Sequence, residues 1–134
     1  MAIKLKSRSG NQSSRNLSLK KIIPKEYDEQ CQFVAWFKIQ FQHVRIAAIP
    51  NGMRTSIGTA IKAKKEGLSS GFPDLTIPAW NCYIEMKRQK GGVLSPEQKE
   101  WHRYLEDHCD AVVIVAKGCD DAIRQIMGLG KDCP

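Results

Sequence analysis

The sequence GFPDLTIPAWNCYIEMK, residues 71–87, decides the fold of this chain. It contains two short apolar runs, residues 74–77 and 82–87, on either side of a Pro-Ala-Trp-Asn linker. Two strands separated by so few residues can pair only as an antiparallel hairpin. A four-residue linker sets Asp74 opposite Glu85, so two carboxylates should meet at the open end of the hairpin.

The second predicted strand carries a carboxylate and an amine on one face. Glu85 and Lys87 are two residues apart, so their side chains leave the same face of the sheet. Directly opposed Cβ atoms lie roughly 4.5–5.5 Å apart, which lets Asp74 and Glu85 share one divalent cation. That cation would remove the repulsion between the two carboxylates. Oxygen ligands favour magnesium or manganese, and the backbone carbonyl of Met86 is a further candidate ligand.

These residue types together predict phosphodiester hydrolysis. A metal held by Asp74 and Glu85 would bind a phosphate oxygen and activate a water molecule, and Lys87 would orient that water or offset charge in the transition state. The alternative is structural. In that interpretation, Asp74 is a turn residue after Pro73, and Glu85 and Lys87 form an exposed ion pair.

Helical and strand patterns extend outward from the hairpin on both sides. The predicted elements, in chain order, are a helix over 25–42, a strand over 43–49, a helix over 55–66 ended by Gly67, the hairpin strands over 74–77 and 82–87, a helix over 95–108, a strand over 111–116 and a helix over 120–127. Ser95 should cap its helix in a capping box, and Asp120 should cap the last helix. The apolar run 111–116 predicts a strand buried on both faces. The order α-β-α-β-β-α-β-α predicts an α/β fold with a mixed central sheet flanked by helices.

The N-terminal segment differs in charge from the rest of the chain. Residues 1–21 carry six basic residues and no acidic one, whereas residues 22–134 have a net charge of only +1. We therefore expect a basic flexible tail over 1–21 and a single domain over 22–134. The tail either aids solubility or contacts phosphates, in which case the candidate residues are Lys4, Lys6, Arg8 and Arg15.

Composition also disfavours several classes of protein. There is no apolar run of about eighteen residues, as a membrane span requires, and no apolar stretch follows the N-terminal lysines as in a secretory signal. We expect an intracellular protein without a membrane partner, cytoplasmic in a bacterial host if a phage or a bacterium encodes it. The five cysteines form no CxxC pair, which disfavours zinc. No small-molecule cofactor is expected.

Several motifs resemble the PD-(D/E)xK nuclease superfamily, specifically its VRR-NUC branch. The matching stretches are Pro50-Asn51-Gly52 with Arg54, Glu66-Gly67, residues 71–75, residues 84–87, and residues 94–98 followed by Trp101. The resemblance spans residues 26–128. It implies a restriction-endonuclease-like core in which Asp74 and Glu85 bind metal and Lys87 assists catalysis.

The same resemblance implies roles for two further residues. Glu29, on the first predicted helix, would be a metal-associated acid that acts directly or through water, and Gln98 would lie near the active centre. For Glu29 the alternative is an ordinary acid in the first turn of a helix, where the helix dipole favours it. For Gln98 the alternative is a purely structural place in the capping box that begins at Ser95.

Stand-alone members of the family, which this short chain resembles, act as homodimers on branched DNA such as Holliday junctions. The resemblance therefore implies DNA, duplex or branched, and a second copy of the chain as partners. Candidate DNA contacts outside the tail are Arg54, Lys62 with its neighbours Lys64 and Lys65, Arg88 and Lys90. Two other functions stay open: a general or restriction-type DNA nuclease, and an inactive nucleic-acid-binding module.

Overall fold

A computed structural model describes residues 22–50 and 56–131 of the chain. The helices in these residues are α1 (Glu26–Gln40), α2 (Ile57–Lys65), α3 (Pro96–Cys109) and α4 (Cys119–Gly128), and the strands are β1 (Ala47–Ala48), β2 (Leu75–Ile77), β3 (Cys82–Lys87) and β4 (Val112–Lys117). Their order is the predicted one, so the fold is α/β with a mixed sheet and flanking helices. None of the described helices is both long enough and apolar enough to cross a membrane.

The strands form one sheet in the order β1-β2-β3-β4. β2 and β3 pair antiparallel with Leu75 opposite Ile84, which is the register predicted from the hairpin. Between them lies a 3₁₀ turn, Pro78–Trp80, followed by Asn81 at φ 46°, a left-handed conformation that asparagine tolerates better than most residues. β4 runs parallel to β3, and the crossover between these two strands contains α3, as a parallel connection requires.

The hydrophobic core lies between one face of the sheet and helices α1 and α4. Phe33 and Phe37 of α1, and Phe41 at its C-cap, are buried at four-residue spacing, which lines one face of a helix. The even-numbered residues of β3 are completely buried in the same core. Because side chains alternate along a strand, Glu85 and Lys87 leave the opposite face, where they meet α3.

The prediction that the strand over 111–116 is buried on both faces is wrong. Among the described strands, β4 pairs only with β3 and therefore lies at the sheet edge. Ile114 and Ala116 face the core, whereas Val113 and Val115 on the opposite face are only half-buried. An apolar run alone does not distinguish a central strand from an edge strand, because both can be rich in valine and isoleucine.

β1 is shorter than the strand predicted over residues 43–49. Only Ala47 and Ala48 pair with β2, and both are exposed. Val44 and Ile46, which gave the segment its strand-like pattern, pack against the core. The apolar residues of this segment therefore contribute to packing more than to strand pairing.

The start of α4 is also different from the prediction, because Asp120 does not cap this helix. The N-cap is Gly118, and Asp120 lies inside the first turn. The Cys119 N–H instead donates to the carboxylate of Glu29 on α1, at 2.8 Å. Gly118 has φ 91°, and a Cβ at this position would lie 2.1 Å from Glu29 Oε2. Glycine is therefore required both by the backbone conformation and by the approach of Glu29.

Candidate active site

Two carboxylates meet where the β2–β3 hairpin opens. Asp74 immediately precedes β2, and its Oδ2 accepts the Met86 N–H at 2.8 Å. Glu85 is only 2% exposed. Burial, and next the charge of Asp74, raise the pKa of Glu85 to about 8. Burial also raises the pKa of Asp74, although the hydrogen bond from Met86 opposes this shift. The pair is therefore short of positive charge and is stabilised by a proton or a cation.

The pairing between β2 and β3 ends beside the two carboxylates, before Met86. The register that pairs Leu75 with Ile84 sets Pro73 opposite Met86. Proline has no N–H, so Pro73 cannot donate a hydrogen bond to the Met86 carbonyl. The Met86 N–H donates to the Asp74 side chain. The arrangement leaves the Met86 carbonyl without a donor from the opposite strand, which suits its predicted use as a ligand.

Lys87 and Gln98 lie over the Glu85 carboxylate. Lys87 Nζ is 3.6 Å from Glu85 Oε1, and the same oxygen accepts a hydrogen bond of 2.7 Å from Gln98 Nε2. Gln98 Oε1 in turn accepts from Lys87 Nζ at 2.9 Å. The amide of Gln98 thus bridges the two residues and limits the positions that the lysine amine can take. The structure brings the predicted residues Asp74, Glu85, Lys87 and Gln98 together in one site.

Gln98 forms the capping box and also contacts the site. Its backbone N–H donates to Ser95 Oγ at 3.2 Å, and its side-chain oxygen accepts the Ser95 N–H at 2.9 Å, which completes the capping box. The remaining amide nitrogen contacts Glu85. The loop before β2 also approaches this helix start closely, since a Cβ on Gly71 would lie 2.5 Å from the backbone of Glu97. Capping therefore fixes the side chain that contacts the site.

On the first helix, Glu26 and not the predicted Glu29 lines the cleft. Glu29 is buried, and its two oxygens accept hydrogen bonds from Gln89 Nε2, at 2.9 Å, and from the Cys119 N–H. Glu26, one helical turn earlier, lines the same cleft as Asp74 and Glu85. Burial, and next the charge of Asp74, raise the pKa of Glu26. Both glutamates lie on nearly the same side of α1, so their spacing of three residues could not separate their roles.

His102 was not singled out from the sequence, yet it reaches Glu85. It lies on α3, is 7% exposed, and places its Nε2 3.6 Å from Glu85 Oε2. Burial, together with the nearby charge of Lys87, lowers the pKa of His102, and Glu106 and Asp74 oppose this shift. The sequence feature that could have identified His102 is its position four residues after Gln98, which places both side chains on the same face of the helix.

The site opens into a cleft of about 330 Å³. Lys64 of α2 borders this cleft together with Glu26. Lys62 is exposed, and its Nζ lies 3.9 Å from Glu66 Oε1. Arg88 and Lys90 are exposed just after β3, and Arg88 is close enough to Glu26 to oppose the rise in its pKa. The remaining predicted DNA contacts lie outside the described residues: Arg54, Lys4, Lys6, Arg8 and Arg15.

The donor set fits a hard divalent cation. Residues 22–50 and 56–131 contain no cluster of three or more His, Cys, Asp or Glu side chains arranged around a metal position. Magnesium, however, commonly takes only one or two carboxylates from a protein and completes its shell with water. Glu85 Oε2 is buried with no hydrogen-bond partner among the described residues, and a cation between Glu85 and Asp74 would satisfy it. Asp74, Glu85 and the Met86 carbonyl therefore fit magnesium or manganese.

Comparison with known proteins relates the chain to one family. The family model for the VRR-NUC domain matches residues 11–120, so the match begins within the segment predicted to be a tail. A solved structure described as a VRR_NUC domain protein is similar, with a TM-score of 0.66 and 29% sequence identity over 78% of this chain and 87% of that chain. Comparison with curated protein sequences gave no significant match.

Proposed function

This chain belongs to the VRR-NUC domain family and has its nuclease-type fold, and on that premise we propose that it is a metal-dependent endonuclease that hydrolyses phosphodiester bonds in DNA. The observation that carries the proposal is the pair of carboxylates that lines an open cleft, half-buried Asp74 and buried Glu85, with Lys87 beside Glu85. A binding module has no use for paired acids facing phosphate, because they repel the ligand.

The proposal gives each residue of the site a distinct task. Asp74 and Glu85 hold magnesium or manganese, with the Met86 carbonyl as a further ligand and Glu26 nearby for contact through water. When bound, the metal supplies charge to a phosphate oxygen and lowers the pKa of an attacking water. Asp74 keeps one oxygen for the metal, since its other oxygen accepts the Met86 N–H.

Lys87 and Gln98 act on the reacting groups and on Glu85. The Lys87 amine, held by Gln98 Oε1 at 2.9 Å, places a positive charge where negative charge builds up on the phosphate, and it can orient the attacking water. Gln98 donates to Glu85 Oε1 and so fixes the carboxylate relative to the amine. Glu29, with both oxygens engaged by Gln89 and Cys119, has no direct part in this chemistry.

For the substrate, we propose branched DNA such as a Holliday junction, cut by a homodimer that presents two symmetric active sites. Support comes from the family resemblance and from basic residues beside the cleft, namely Lys64 and Arg88. The alternative substrate is linear duplex DNA, as for a general or restriction-type nuclease.

One cleavage experiment tests both the metal-dependent cleavage and the preference for branched DNA. Purified protein is incubated with four-way junction, linear duplex or single-stranded DNA, with magnesium, manganese or calcium, and Asp74→Ala serves as the matched inactive control. We expect junction cleavage with magnesium or manganese, and little or none with calcium. Cleavage that persists in excess EDTA would contradict the metal mechanism. Equal cleavage of duplex and junction by a monomeric protein would contradict the junction preference alone.

A further inference from the structure

The site contains two buried polar atoms that face each other without forming a hydrogen bond. His102 Nε2 lies 3.6 Å from Glu85 Oε2, which is too long for a hydrogen bond. Neither atom has another hydrogen-bond partner among the described residues. The two side chains are 9% and 2% exposed, so bulk water does not satisfy them. Unsatisfied buried polar groups are rare in folded proteins and call for a specific explanation.

Helix α3 directs two polar side chains towards the same carboxylate. Gln98 and His102 are four residues apart and therefore lie on one face of the helix. Gln98 Nε2 donates to Glu85 Oε1 at 2.7 Å, while the imidazole of His102 faces the other oxygen, Oε2. Glu85 is thus approached at each oxygen by a different residue of one rigid helix.

We infer that His102 is a positioning residue for the metal-binding carboxylate: its Nε2–H donates to Glu85 Oε2 when Glu85 holds a cation, and this keeps the carboxylate in its ligating orientation. The inference rests on the proposed metal-dependent function. A neutral imidazole carries one N–H and can make this bond without adding charge to the site. The displacement required is small, because shortening the contact to a normal hydrogen bond takes less than about 1 Å.

A purely structural role for His102 does not agree with these contacts. No described residue forms a hydrogen bond with His102 Nε2, and burying that nitrogen without a partner costs free energy. A leucine of similar size would fill the same space without this cost. The benefit of a histidine therefore arises only when Glu85 needs a donor, as it does when the carboxylate is held on a metal.

The experiment compares His102→Leu and His102→Gln with the wild-type protein. Manganese binding is titrated by the electron paramagnetic resonance signal of free Mn²⁺, and thermal unfolding is measured in EDTA. We expect His102→Leu to bind manganese on the order of 10–100 times more weakly, the usual effect of losing a partner of a metal ligand. Its unfolding temperature without metal should be equal to that of the wild type or higher. His102→Gln keeps an N–H donor and should recover most of the affinity.

His108→Leu is the matched control, because His108 is an exposed histidine on the same helix; we expect it to bind manganese like the wild type. Wild-type affinity in His102→Leu, together with a lower unfolding temperature, would overturn the inference and show a structural role. So would failure of both His102→Leu and His102→Met to fold while His102→Gln folds. If the wild type itself binds no manganese, the metal site and the proposed function fail together with the inference.

Discussion

Glu29 and Glu85 are 4% and 2% exposed, respectively, but their oxygens have different surroundings. Both oxygens of Glu29 accept hydrogen bonds from nearby donors, one from the first N–H of α4 and one from Gln89. Glu85 accepts from Gln98 at one oxygen, has no hydrogen-bond partner among the described residues at the other, and lies beside a second carboxylate. A buried carboxylate with two satisfied oxygens stabilises the fold by itself, whereas Glu85 needs a further group. The comparison indicates that burial alone does not identify a catalytic acid.

The largest expected effect is the difference in DNA cleavage between variants of these two glutamates. Glu85→Gln removes the charge that a cation requires, so we expect DNA cleavage to fall below detection while DNA binding is retained. Glu29→Gln keeps an acceptor oxygen in nearly the same volume, and the folded variant should cut at close to the wild-type rate. Single-turnover cleavage at saturating magnesium measures both. Loss of cleavage by folded Glu29→Gln would return Glu29 to the active site and remove the distinction.

The sequence predicted most of this site because the information is local. The hairpin register brings Asp74 to Glu85, strand alternation puts Lys87 on the same face, and the capping box fixes Gln98; each follows from residues close together in the chain. The family resemblance implied Glu29 as a metal-associated acid, and Glu26 lies one helical turn earlier on the same helix. Only tertiary packing decides which of these two reaches the cleft.

The features that sequence reasoning did not give depend on contacts between distant segments. The cap of α4 comes from Glu29, 90 residues before Cys119, and no local pattern reports such a partner. The edge position of β4 depends on which strands pair in the sheet, and the composition of one segment does not specify this. His102 reaches Glu85 only because α3 packs over the face of β3 that carries this carboxylate.

A second prediction concerns the group that offsets the charge of Glu85. Lys87→Ala removes the amine 3.6 Å from Glu85 Oε1, and we expect cleavage to slow on the order of 10²–10⁴-fold, the range for one proton-handling or charge-stabilising group. Manganese binding should persist, since Lys87 is not a ligand. Lys38→Ala is the control, because Lys38 is an exposed lysine in the last turn of α1 and has no assigned role in the site. Full activity in Lys87→Ala would contradict the assigned role.

A third prediction uses the pKa of Glu85, which burial and Asp74 raise from 4.5 to about 8. The folded protein therefore binds the proton more tightly than the unfolded chain does. The resulting stabilisation is complete below about pH 4.5 and is lost as the pH rises towards 8. The metal-free protein in EDTA should accordingly lose stability across this window, and Glu85→Gln should flatten the dependence. Urea unfolding at several pH values tests this, and an unchanged slope in Glu85→Gln would assign the effect to other groups.

The smallest expected effect is on stability and concerns Glu29. Glu29→Ala removes the acceptor for the Cys119 N–H and for Gln89, and a buried donor left unpaired costs about 1–3 kcal/mol. Glu29→Gln keeps an acceptor oxygen and should cost less, although its hydrogen bonds lose their charge. Urea unfolding in EDTA gives the free energy of both variants, and manganese titration of the folded proteins gives their metal affinity. We expect Glu29→Ala to lose stability and keep its manganese affinity. Glu85→Gln should keep its stability and lose manganese affinity. A weaker manganese affinity in Glu29→Ala at full stability would show that this carboxylate acts on the metal and not on the start of α4.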